Sequence, residues 1–278
     1  DEHAPSKKTL LLIHGFPESS FSFHGIIEGM LKTFDRIILF DMLGYGWSDK
    51  PTHTYSYSLL EQADSVLEVW KHFSVKGGHM LSHDMGDSVA TEILARSEEG
   101  SLPAWFSDGL QSATFTNGSM VLELAELRIT QKLLLSTFGS VLSKLTFFKL
   151  FRHQIISAQG NTNLAEEEIQ ALWEANKLQD GHKKAYLTIK YISDRKRFEK
   201  SRWLPALAET DLPIHICWGE DDAVARVEMA YYLKNEVCLN AKLTIMTGMG
   251  HFCQSENPDK WVEFVSAFYR QLMAPASF

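Results

Sequence analysis

The stretch "LSHDMGDSVA", residues 81–90, places an aspartate midway between Ser82 and Gly86, where an apolar run ends and a helix-forming run begins. Small residues two positions either side of a reactive side chain suit a sharp strand-to-helix turn that pushes that side chain clear of the backbone. Asp84 is therefore a candidate carboxylate nucleophile. Taken alone it also reads as a plain helix N-cap, a position that favours Asp. The rest of the chain has to decide between the two.

Working outward, short apolar runs recur at "TLLLIHG" (9–15), "RIILFDMLGYGWSD" (36–49), "HMLSHDMG" (79–86), "GLQSATFTNG" (109–118), "PIHICWGEDD" (213–222) and "KLTIMTGMGH" (242–251). Runs apolar on both faces suit parallel strands covered on both sides. Between them, helical spacing predicts helices over 57–73, 86–96 and 258–273, the last entered at Pro258. Strands alternating with helices mean an α/β fold with a mostly parallel sheet. The stretch 119–205 differs, reading as several helices with no strand, a lid inserted into the core. The expected organisation is a first core part over 1–118, a helical lid over 119–205 and a second core part over 206–278.

The bulk composition narrows the function. The 278 residues, 45% hydrophobic, can bury one large core. A net charge of −8 spread without a long acidic run argues against nucleic acid or an anionic membrane as the main partner. The basic clusters Lys183–Lys184 and "DRKRFEK" (194–200) lie among other charges and read as solvated faces. Cys217, Cys238 and Cys253 match neither a zinc pattern nor a disulfide framework. That usage fits a reducing, cytoplasmic setting, with no metal and no cofactor expected. No apolar stretch approaches the ~20 residues that span a bilayer, and no signal peptide is visible. The abrupt opening "DEHAPSKK" reads as a trimmed version of a longer protein, from which an upstream anchor would be missing.

In open α/β sheets, sites form beyond the carboxyl ends of the strands. The reactive residues just after each run are His14, with Gly15, Phe16 and Pro17, then Asp41, Asp84, Asn117, Asp221 and Asp222, and His251. Nucleophile, acid and histidine follow one another in that order, the chain order of the α/β-hydrolases. The segments "HGFPES" (14–19), "DMLGYGWSDKP" (41–51), "SHDMGD" (82–87), "WGEDDAV" (218–224) and "GMGHFCQSENP" (248–258) together resemble that superfamily. Within it they resemble the epoxide hydrolase and haloalkane dehalogenase branch, whose nucleophile is Asp. The serine in "LSHD", the second aspartate in "HDMGD" and "KYISDRKRFEKSRW" (190–203) are most similar to the mesoderm-specific transcript family.

The resemblance implies a role for each matching residue. Asp84 would form an alkyl-enzyme ester, and His251 would activate the water that hydrolyses it. Asp222 would orient His251, being preferred to Asp221 because it stands three residues after Gly219 as the family's acid does. The backbone N–H groups of Phe16 and Met85 would form the oxyanion hole, with a cis Phe16–Pro17 bond. The other position for the acid holds Asn117, and Glu123, the nearest carboxylate, reads as part of the lid. His14, His24 and His83 read as structural or partly exposed, and Cys253 as a packed thiol.

Epoxide hydrolysis leads among the reactions, with Tyr191 and Tyr186 as candidate lid proton donors, and the family resemblance favours Tyr191. Where a dehalogenase presents halide donors, this chain has Met85 and Phe16, whose side chains donate nothing, leaving Trp173 as one candidate. An esterase or lactonase reaction, or a non-enzymatic binding role, stays open. The apolar lid residues Leu133–Leu135, Phe147–Phe148 and Leu150–Phe151 predict a mostly hydrophobic pocket for a small apolar organic substrate.

Overall fold

The computed structural model describes residues 8–161 and 164–274, so the opening segment read above lies almost wholly outside the described residues. Among these, six strands form one parallel sheet: β1 (Thr9–Ile13), β2 (Arg36–Ile38), β3 (Gly77–His83), β4 (Gly109–Thr116), β5 (Ile214–Gly219) and β6 (Lys242–Met246). Their order is β2-β1-β3-β4-β5-β6. Every residue of β1 is buried, Leu11 and Ile13 in one apolar cluster and Leu10 and Leu12 in another. That is why its sequence is an unbroken apolar run rather than an alternating one.

Strand β2 is far shorter than its run. Beyond it the Asp41 carboxylate accepts the N–H groups of Ser20 and Trp47, each at 2.7 Å, and ties the chain into a loop. The principal helices are α1 (Leu59–His72), α2 (Met85–Glu98), α3 (Ile129–Leu135), α4 (Gly139–Ser143), α5 (Phe148–Ile156), α6 (Glu166–Lys177), α7 (Tyr191–Phe198) and α8 (Pro258–Leu272). Helix α1 starts after Ser58, whose hydroxyl accepts the Glu61 N–H at 3.2 Å, and buries Leu59, Ala63, Val66, Leu67 and Trp70 along one stripe. Helix α8 starts at Pro258 behind an Asn257 cap. The described residues between 119 and 205 contain helices and no strand. No helix among the described residues is long and apolar enough to cross a membrane.

One feature of this order positions the chemistry. The chain leaves β1 for β2 at one edge, then returns to lay β3 on the other side of β1. At such a reversal the loops leaving adjacent strands diverge and open a crevice at their carboxyl ends. The segment after β1 begins with His14, and the residue after β3 is Asp84.

Candidate active site

Asp84 sits at the turn between β3 and α2 with φ 49° and ψ −114°, a sparsely populated conformation for a non-glycine residue. The turn is held from several sides. Asp84 N–H donates to the Thr116 carbonyl at 3.0 Å, and Arg195 Nη2 approaches the Asp84 carbonyl at 3.4 Å. Two glycines permit the fold to close here. A Cβ on Gly86 would lie 2.4 Å from the Ile13 carbonyl oxygen, and one on Gly15 would lie 2.7 Å from Asp84 Cβ. Of the small residues flanking Asp84 in the sequence motif, Gly86 is thus demanded by close approach of backbone to backbone.

The Asp84 carboxylate is divided in its contacts. Oδ2 accepts the Phe16 N–H at 2.9 Å, and the Phe16–Pro17 bond is cis. Oδ1 lies 3.8 Å from His251 Nε2, beyond hydrogen-bond length but within the span one water bridges. On the other side of the ring, His251 Nδ1 stands 2.9 Å from Asp222 Oδ2. Asp222 Oδ1 accepts the N–H groups of Val224 and Ala225 at 2.6 and 2.9 Å, which fixes the carboxylate against its own loop. Burial is the largest single influence and would lower the His251 pKa, but the Asp222 charge, its hydrogen bond to the ring and the Asp84 charge together hold the pKa above the ordinary 6.5. Asp221, by contrast, accepts from Asn161 at 3.1 Å. The Met85 side chain is buried and its sulfur accepts from the Tyr45 hydroxyl at 3.2 Å.

Several residues of this centre were not anticipated. Asn117 Nδ2 donates to Asp222 Oδ2 at 2.7 Å, while its Oδ1 accepts the Gly219 N–H at 3.2 Å and faces the Cys253 thiol at 3.3 Å. Beneath His251 lies a buried ion pair. His83 Nδ1 is 2.8 Å from Glu18 Oε2, and His83 Nε2 is 2.7 Å from the His251 carbonyl oxygen. A ring facing an acceptor at each nitrogen is doubly protonated. Burial opposes that charge, but the Glu18 carboxylate prevails and raises the His83 pKa to about 9. The signal was present in "HGFPES", where an acid stands in an otherwise apolar turn.

The remaining histidines and basic residues are placed as follows. His14 is fully buried and keeps a low pKa through desolvation. Its Nε2 accepts the Met42 N–H at 2.9 Å, so Nδ1 carries the proton and donates to the Gly15 carbonyl at 2.9 Å. His24 is exposed and stacks on Phe21. Glu123 is exposed and paired with Lys200. The reading of 194–200 as a solvated face fails at Arg195, which is only 3% exposed. Its guanidinium donates to Ser88 Oγ at 2.8 Å and lies 4.6 Å over the Tyr191 ring, because α7 packs onto the turn rather than facing water.

Asp84 and His251 open onto a cavity of about 50 Å³, lined also by Phe16, Arg128, Gln131, Gln154 and Tyr191. The Tyr191 side chain bonds that of Gln131, and burial followed by the Asp84 charge pushes the Tyr191 pKa up, so the hydroxyl keeps its proton. Tyr186 lines a separate surface groove with Ser56, Ser58 and Leu135. Trp173 packs among Phe148, Phe151 and His182 and does not line the cavity. The cavity wall is more polar than the apolar lid sequence predicts, since Arg128, Thr130, Gln131 and Gln154 face it. The expected apolar lining is found one step outward. A chamber of about 300 Å³ shares Phe16, Pro17, Thr130, Gln131 and Gln154 with the cavity and continues over Leu133, Leu142, Phe147 and Leu150. Among the described residues no cluster of His, Cys, Asp and Glu is placed to hold a metal.

Comparison with known proteins places this geometry in a family. The chain is 38% identical over 259 residues to a Mycobacterium tuberculosis protein named "Putative hydrolase LipZ", a match that covers 92% of this chain and 86% of that protein. It is 31% identical over 276 residues to the mesoderm-specific transcript homolog protein of Bos taurus, covering 95% of this chain and 80% of that protein. Among solved structures, a loop variant of the haloalkane dehalogenase DbeA from Bradyrhizobium elkanii superposes with a TM-score of 0.76 over 97% of this chain and 91% of that chain. At 16% identity this likeness concerns the fold alone. Residues 8–258 match the alpha/beta hydrolase fold family, and the chain belongs to that family.

Proposed function

We propose that this chain is a hydrolase with an aspartate nucleophile that opens epoxides of small apolar molecules, and that its helical segment 119–205 acts as a lid over the site. The observation that carries the reading is the division of the Asp84 carboxylate. One oxygen rests on the Phe16 N–H, and the other faces His251. A carboxylate suits attack at a saturated carbon because the ester it forms can be hydrolysed again. A serine in its place would form an ether.

The steps follow from the contacts. Asp84 Oδ1 attacks an epoxide carbon, the carbon–oxygen bond of the ring breaks, and the Tyr191 hydroxyl passes its proton to the departing oxygen. A water then loses a proton to His251 Nε2 and adds to the ester carbon, Cγ of Asp84. Oδ2 takes up the negative charge against the Phe16 N–H, with the Met85 N–H as the second donor. Loss of one such donor costs roughly 3–4 kcal/mol in serine hydrolases. The ester bond breaks, the diol leaves with the His251 proton, the second proton of the water returns to the Tyr191 phenolate, and Asp84 is left a carboxylate with one oxygen from water. Asp222 holds the imidazole and balances its charge throughout.

Dehalogenation is less well supported, because Met85 and Phe16 carry no side-chain donor for a halide and Trp173 does not line the cavity. The test is a single turnover of an epoxide panel in isotopically labelled water. Label in Asp84, seen by peptide mass spectrometry and absent from Asp84→Ala, supports the route. His251→Gln should accumulate the ester. No adduct and no diol with any epoxide would sink the proposal in favour of a binding role.

A further inference from the structure

The chain-wide charge of −8 conceals a local reversal. From Leu127 to Ala165 the sequence holds no Asp or Glu and five basic residues, Arg128, Lys132, Lys144, Lys149 and Arg152. Arg152 pairs with Glu166, and Arg128 turns inward to the Gln154 carbonyl and the Ser157 hydroxyl. Lys132, Lys144 and Lys149 are exposed, and among the described residues no carboxylate pairs with them. The same segment carries seven of the twelve large hydrophobic residues exposed among the described residues. Ile129 is 76% exposed, Phe138 69%, Leu145 65%, Val141 58% and Phe147 57%. These residues belong to α3, α4 and the turns beside them, and α3 and α4 pack on one another.

Apolar side chains held in water in such number mark a surface that is covered in use. Two observations say by what. The free charges of the segment itself are all positive, which complements an anionic surface and opposes a symmetric pairing of two copies, where lysines would face lysines. The apolar chamber also opens here, since Leu133, Leu145 and Phe147 both line it and stand exposed. A face of apolar residues ringed by lysines is the chemistry of a helix lying in a lipid interface.

We infer that the α3–α4 face of the lid docks onto an anionic phospholipid bilayer, with the mouth of the chamber turned to the lipid. Apolar residues enter the acyl boundary while Lys132, Lys144 and Lys149 meet the headgroups, each contributing attraction that salt screens. Docking is a property of the surface and does not depend on the reaction. Delivery of an apolar substrate from the bilayer through the chamber to Asp84 rests on the function proposed above.

The test is co-sedimentation with vesicles of phosphatidylcholine, with and without phosphatidylglycerol, together with light scattering of the protein alone. Binding is expected to be stronger by roughly a hundredfold on the phosphatidylglycerol vesicles and to fall steeply with added salt. Reversal of the three lysines to glutamate should erase that preference. Phe138→Ser with Val141→Ser should release the protein from both vesicles while circular dichroism stays unchanged. Equal binding to both vesicle types, no binding to either, or a dimer in solution that the Phe138→Ser, Val141→Ser variant dissolves would each overturn the inference. None of these readouts needs turnover, so a failed epoxide panel leaves the docking result standing.

Discussion

Asn117 Nδ2 donates to Asp222 Oδ2 at 2.7 Å, and that same oxygen receives His251 Nδ1 at 2.9 Å. Asn117 stands just past β4, at the other position where this fold can place its acid, with the left-handed φ of 56° that Asn tolerates. The amide therefore helps aim the Asp222 carboxylate at the ring. Asn117→Gly removes the side chain without straining the backbone. The expected result is slower ester hydrolysis by about tenfold or less, the worth of one buried hydrogen bond, with the alkylation step nearly unchanged. Rapid-quench measurement of ester formation and decay separates the two steps, and equal slowing of both would contradict a role through Asp222.

The tyrosines predicted from the lid sequence part company in the structure. Tyr191→Phe should slow ester formation by about 10²-fold or more, because the departing oxygen loses its acid. Tyr186→Phe should leave the rate unchanged, since its ring lies in another groove. The same transient kinetics check both.

In the proposed mechanism, neutral His251 is the form that takes a proton from water. Burial would favour that form, but Asp222, helped by the Asp84 charge, raises the pKa of the free enzyme above 6.5; in the ester Asp222 keeps its charge, so ester decay should gain speed as pH rises through the His251 pKa. Pulse-labelled enzyme followed across pH reads this limb directly. A decay rate already at its plateau below about pH 6 would contradict it.

The Glu18–His83 pair makes stability depend on pH in a stated direction. Burial disfavours the imidazolium, yet Glu18 lifts its pKa from 6.5 to about 9. A pKa raised on folding contributes stability that is complete below about 6.5 and disappears as pH climbs through about 9. Urea midpoints should therefore fall across that window, and Glu18→Gln should flatten the fall while lowering the midpoint at neutral pH. An unchanged slope in Glu18→Gln would exclude the pair as its source.

Gly86→Ala should destabilise the fold by about 1–3 kcal/mol, because the new Cβ meets the carbonyl oxygens of Ile13 and His14 rather than a movable side chain. Gly100→Ala, with nothing within 4 Å of its Cβ but φ +64°, separates the cost of backbone conformation from that of contact. Thermal melts of the two variants give the comparison, and a smaller loss for Gly86→Ala would argue against the close approach.

The sequence by itself determined the parts whose causes are local. Apolar runs buried on both faces made parallel strands, Ser58 and Asn257 opened helices, and Gly86 behind Asp84 announced a turn too tight for a Cβ. The reactive residues were legible because strand ends are legible, and strand ends are where this architecture places its chemistry. Tertiary structure decided what distant elements do to one another. Asn117 meets Asp222 across 105 residues and Glu18 meets His83 across 65, contacts that no periodicity encodes. Arg195 looked like one charge among many until α7 packed it against the Asp84 turn. Tyr191 and Tyr186 lie five residues apart and only the family resemblance favoured Tyr191, whereas helix packing turned it alone into the cavity with Asp84. Secondary structure follows from near neighbours along the chain, whereas a site's charge, protonation and walls are set by neighbours in space.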